Sequence, residues 1–111
     1  MIEKTVIDYL DSVLPVPSFA EMPQPRPESF CLVQQTGGGA RNRLKTAMVA
    51  VQSYGGSRYA AGVLCDTVIE AMDGLPSLPE IAGCRLNAAY PFPDTEEKKY
   101  RFQAVFDITY Y

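Results

Sequence analysis

The chain contains no histidine and no tryptophan. The first absence removes the commonest general base and, with it, the usual Ser/His and Cys/His nucleophile pairs. Cysteine is scarce: Cys31, Cys65 and Cys84 are odd in number, far apart and each set in an apolar pattern. That spacing argues against a disulfide framework or a zinc knuckle and assigns all three to reduced positions in the core. No apolar run approaches a membrane span, and Met1-Ile2-Glu3-Lys4 opens without the hydrophobic region of a secretion signal, so the expectation is a chain made in the cytosol. Positive charge is not in excess either. Ten Lys and Arg against thirteen Asp and Glu leave a net charge of −3, which gives nucleic acid or an anionic membrane no broad attraction.

What is present is an ordinary globular composition, 47% apolar and 21% charged over 111 residues. That supports one domain, residues 1–111, with a single core. The most informative stretch runs from Leu44 to Leu75. Between Lys45-Thr46 and Gln52-Ser53 lies the two-sided apolar run Ala47-Met48-Val49-Ala50-Val51, which predicts a central strand over Leu44 to Tyr54. Gly55-Gly56 ends it. A helix is then expected over Ser57 to Met72, with Ala61, Leu64, Cys65, Val68, Ala71, Met72 and Leu75 on one stripe and Arg58, Asp66, Glu70 and Asp73 on the other.

The rest of the chain is organised around that unit. Ile2, Val6, Ile7, Leu10, Val13 and Leu14 share a face of an N-terminal helix ended by Pro15 and Pro17. Prolines 15, 17, 23, 25 and 27 leave room only for a short strand near Ser18 to Met22, at a sheet edge or in an extended arm. Ser29 to Thr36 alternates as a strand, and Gly37-Gly38-Gly39-Ala40-Arg41-Asn42-Arg43 is expected to be a flexible loop into the central strand. After a loop over Leu75 to Gly83, Cys84 to Tyr90 is a further strand, and Pro91 to Lys99 a solvated turn. Tyr100 to Tyr111 is the most strictly alternating segment: Tyr100, Phe102, Ala104, Phe106, Ile108 and Tyr110 face one way and Arg101, Gln103, Asp107 and Thr109 the other. The order α-β-β-β-α-β-β predicts an α+β domain, a twisted mixed or antiparallel sheet of four to five strands with two helices on one face.

Candidate chemistry is sparse. Most of the carboxylates fall on polar helix faces or in the Glu96-Glu97 turn, where a solvated surface role accounts for them. The Gly37 to Arg43 segment has three readings. Its amides and arginines could cradle an anion, although it lacks a Gly-Lys-Ser/Thr ending and leads into a strand. It could be a mobile connection, or it could be ordered only by a partner whose carboxylates meet Arg41 and Arg43. The aromatic closing strand lacks the glycine of an RNA-recognition sheet, and core packing accounts for Phe102 and Phe106. Tyr110 and Tyr111 fit burial against another subunit as well as against the chain's own core.

The pattern as a whole resembles the small structural proteins of the head-to-tail and tail-completion modules of tailed bacteriophages and prophages, especially those of Gram-positive hosts. The resemblance rests on the short N-terminal helix, Val16-Pro17-Ser18-Phe19-Ala20-Glu21-Met22-Pro23, Gln34-Gln35-Thr36-Gly37-Gly38, Val49 to Gly55 before the second helix, and Tyr100 to Asp107. It implies a tail terminator or tail completion protein: a non-enzymatic subunit forming a ring, commonly a hexamer, that caps the tail tube and meets the head connector. No catalytic, cofactor or metal residues carry over from such a family. The expected interface residues are Gly37, Gly38, Gly39, Arg41, Arg43, Tyr110 and Tyr111. The expected location is the host bacterial cytoplasm during assembly and then the virion, with no membrane and no sequence-specific nucleic acid as partner. A different class, a small regulatory domain holding an anion or metabolite at Gly37 to Arg43, is the alternative.

Overall fold

The computed structural model describes residues 1–41 and 43–111, the side chain of Arg41 excepted. Its first element, α1 (Ile2–Val13), buries Ile2, Val6 and Leu10. The helix stops because Leu14 precedes Pro15 and takes an extended conformation, φ −100° and ψ 150°, the backbone region a following proline enforces. Val13, expected on the buried face, is instead 50% exposed; its spacing keeps it on the stripe of Ile2 and Val6, but it is the last residue of the helix. The proline-rich stretch leaves only a two-residue edge strand, β1 (Ser18–Phe19), parallel to the next strand at Cys31 and Leu32.

β2 (Phe30–Arg41) and β3 (Leu44–Gly55) form one long antiparallel hairpin. After it comes α2 (Arg58–Met72), whose start is capped by Ser57: the side-chain Oγ accepts from the Ala60 N–H at 3.0 Å, satisfying one of the free amides of the first turn. At its other end Tyr9 Oη donates to Ala71 O at 2.7 Å, so α1 takes up a terminal carbonyl of α2. A 3₁₀ turn at Leu75–Ser77 leads into β4 (Ile81–Pro91), which pairs antiparallel with β5 (Tyr100–Tyr110). The five strands lie in the order β1-β2-β3-β5-β4. The sheet is therefore mixed, with both helices on one side, a single α+β domain in the order expected.

Beneath the helices, Val49, Val51, Ala104, Phe106 and Ile108 meet Leu64, Cys65, Val68 and Met72 in the main cluster. The opposite face carries a second, smaller cluster. Phe30 and Tyr54 stack with centroids 4.5 Å apart, and Phe19 and Met22 fold over them. Both faces of β3 are thus buried from Val49 to Tyr54, so Gln52 and Ser53 are buried rather than flanking. Met48, expected inside the apolar run, is 39% exposed because the second cluster does not reach that end of the strand. Tyr100, expected on the inner face of the closing strand, is likewise exposed.

The largest departure from expectation is Gly37 to Arg43. It is no flexible loop: Gly37, Gly38, Gly39 and Ala40 are strand residues paired with Met48, Ala47, Thr46 and Lys45. An extra residue at Thr36 shifts the register between Gln35 and Gly37, which restores pairing beyond the point where the simple alternation fails. Arg41 pairs with Leu44, so the connection holds two residues, and Arg43 adopts φ 70°. Gly38 is needed there, because a Cβ would lie 2.7 Å from Thr46 O and 2.8 Å from Gln35 Nε2.

The three thiols are free, with Cys31 and Cys65 buried and Cys84 half-buried. Burial pushes Cys31 up to about 12 and Cys65 and Cys84 up to about 11. The folded state therefore holds these protons more tightly than an unfolded chain, whose thiols titrate near 9.0. The stability this confers is complete below pH 9 and is lost as pH rises through the folded values. Urea unfolding across pH 8 to 12 should show a steeper alkaline loss for the natural chain than for Cys31→Ala. Equal slopes would mean that Cys31 does not take part.

Candidate functional site

The segments singled out from sequence converge at one end of the sheet. Ala40, Lys45 and Tyr110 lie side by side across β2, β3 and β5, followed by Gly39, Thr46 and Thr109. Tyr110 is half-buried, its ring packed against the main cluster, with the Lys45 ammonium 5.8 Å from the ring centroid. Tyr111 is 67% exposed and is anchored through its backbone N–H, which donates to Glu80 O at 3.0 Å. Arg43 is exposed at the hairpin turn; the side chain of Arg41 lies outside the described residues. On the helix-free face of the same end, Gly37, Thr46, Met48, Asp107 and Thr109 line a shallow groove closed by Arg85. Arg85 Nη2 is 3.9 Å from an Asp107 carboxylate oxygen. Arg85 is 85% exposed and Asp107 36%, so the pair adds little stability at this length.

This geometry bears on the anion reading of the glycines. In an extended strand, successive amides point to opposite edges, so Gly37, Gly38 and Gly39 do not converge on one ligand. Among the described residues, no three acidic or cysteine side chains come together as a metal-binding group. No described helix is long and apolar enough to cross a membrane.

Sequence reasoning missed a polar ladder on the helix-free face. Gln52 Nε2 donates to Gln103 Oε1 at 2.9 Å, and Gln103 Nε2 donates to Tyr90 Oη at 2.6 Å. Next to it, the Arg101 guanidinium lies 4.3 Å from the Phe92 ring centroid while its Nε donates to Phe92 O at 2.6 Å and its Nη1 to Tyr54 Oη at 3.1 Å. These contacts link side chains of β3, β4 and β5 across one face of the sheet. The alternation of Arg101 and Gln103 signalled that they share a face; which residues stand opposite them is set by strand pairing alone.

The sheet also has two open edges. β1 covers β2 only at Cys31 and Leu32, and residues 34–40 of β2 are exposed. β4 forms the other edge along its whole length, interrupted by register shifts at Ala82 and Asn87. No family model and no curated protein matches this chain.

Proposed function

We propose that the chain is a non-enzymatic structural subunit of a tailed-phage virion, a tail terminator or tail completion protein that forms a ring and joins the tail tube to the head connector. The observation that carries this reading is the end of the sheet just described, where the interface segments expected from the residue pattern lie together at the tip of a hairpin in a molecule 44 Å long and 25 Å wide. An elongated subunit with two open sheet edges is suited to side-by-side closure. The three thiols are held protonated by burial, which makes them poor nucleophiles. The subunit works by self-association and by docking to tail-tube and connector proteins, first in the host cytoplasm and then in the virion, without chemical turnover.

The test is to inactivate the gene in its phage or prophage and image the particles by negative stain. Unjoined heads and tails, or tails of uncontrolled length, are the expected outcome. Normal, infectious virions would reject the role.

A further inference from the structure

The direction of each edge amide follows from hydrogen bonds already fixed. On β2, Cys31 N–H donates to Pro17 O at 3.0 Å and Gln35 N–H to the Glu3 carboxylate at 2.6 Å, so odd-numbered residues face outward up to Gln35. The extra residue at Thr36 reverses the alternation, which places the outward backbone groups on Gly38 and Ala40. The same result comes from the turn, since Arg41 and Leu44 close a two-residue hairpin as an inward, bonded pair. Helix α1 and strand β1 therefore take up this edge as far as Gln35 and leave Gly37 to Ala40 open.

On the far side of the sheet, Phe92 N–H donates to Arg101 O at 2.9 Å and Tyr111 N–H to Glu80 O at 3.0 Å. Odd-numbered residues of β5 thus face β4, and their partners Gly83 and Arg85 face inward. The outward groups on the regular stretch of β4 between its two register shifts belong to Cys84 and Leu86. Both edges therefore offer two outward residues spaced two apart. β2 is antiparallel to β3, β3 to β5 and β5 to β4, so β2 and β4 run in opposite directions. Neighbouring copies related by rotation about an axis along the strands would bring them together as an antiparallel pair.

We infer that a second copy of this chain extends the sheet, with the Gly38–Ala40 edge of one subunit bonded to the Cys84–Leu86 edge of the next. Gly38 stands opposite Leu86, and Ala40 opposite Cys84, in the bonded positions. Gly39 faces Arg85 between them. Side chains on the two edges are complementary in size: Arg85 and Leu86 project from β4 with much of their surface exposed, and they meet glycines that present none. Two facts favour a second copy over an unrelated peptide: the opposed directions of the two edges, and the glycines of one set against the exposed Arg85 and Leu86 side chains of the other. Opposite edges joined in this way make a heterologous contact, which closes into a ring when the rotation allows. The inference rests on the ring-forming role proposed above and names the surfaces that form the ring.

The test uses the full chain on a Cys84→Ser background. Gly39 and Arg85 form a non-bonded antiparallel pair in this arrangement, with Cα atoms about 4.5 Å apart, within disulfide reach. Gly39→Cys with Arg85→Cys in one chain should give a ladder of linked multimers on copper-phenanthroline oxidation, read on a non-reducing gel. A mixture of the two single variants should give linked heterodimers, and Gly39→Cys alone should give none. Ala40→Pro removes an outward N–H without touching the subunit's own ladder, and should weaken self-association by about tenfold or more in light scattering. Links from Gly39→Cys alone, absence of links in the mixture, a monomer at every concentration, or unchanged association of Ala40→Pro would each overturn the pairing. Loss of the pairing together with defective particles in the gene-inactivated phage would leave the virion role standing. Efficient pairing together with normal virions would leave the pairing standing and reject the role.

Discussion

Phe106→Ala is expected to lower the free energy of unfolding by about 3 to 5 kcal/mol, the range for removing an aromatic side chain from a core that cannot collapse around the gap. Phe106 is 2% exposed and belongs to the main cluster on the helix side of β5, opposite Val49 of β3 and Leu86 of β4. Its neighbours come from the sheet and from α2, which meet at fixed separation, so a cavity there would persist. Urea denaturation followed by circular dichroism measures the loss. A cost under about 0.5 kcal/mol, the usual size for a surface change, would mean that α2 does not pack on β5 as described.

Gly55→Val should be of similar severity for a different reason. The last residue of β3 passes directly under the first turn of α2, and a Cβ on Gly55 would lie 2.6 Å from Ala61 N and 3.0 Å from Ala60 C and Ala61 Cα. These are backbone atoms of a helix held by its Ser57 cap, so they cannot move aside as the end of a flexible side chain could. Relief requires lifting the helix from the sheet or shifting the strand, at a cost of about 3 kcal/mol by comparison with other overpacked sites. Thermal unfolding should show a correspondingly lowered midpoint, with Gly55→Ala between the natural chain and the valine variant. A valine variant as stable as the natural chain would show that β3 and α2 do not approach so closely.

Much of the architecture was legible because amphipathic periodicity is a local property. The stripe Ala61, Leu64, Cys65, Val68 and Met72 located α2, and the alternation of Phe102, Ala104, Phe106 and Ile108 located β5 and the face it buries. Prolines at 15 and 17 marked the end of α1 with no need for tertiary information, since they act on the backbone of the residue before them. The glycines misled for a related reason. Three in succession have no strand preference and no side-chain pattern, so nothing local distinguishes a loop from a strand held by its partner.

Composition and periodicity therefore determined the fold class, the element order, the buried stripe of α2, the inner face of β5 and the absence of histidine chemistry. Tertiary structure alone decided that Gly37 to Ala40 are sheet residues, that Gln52 and Ser53 are buried, that Gln103 links Gln52 to Tyr90, and that Tyr110 lies beside the hairpin tip. Each of these depends on which strand lies next to which and in what register. Pairing joins residues as far apart as Val51 and Ala104 through backbone groups that every amino acid except proline carries alike, so the pattern of side chains along one segment does not record it.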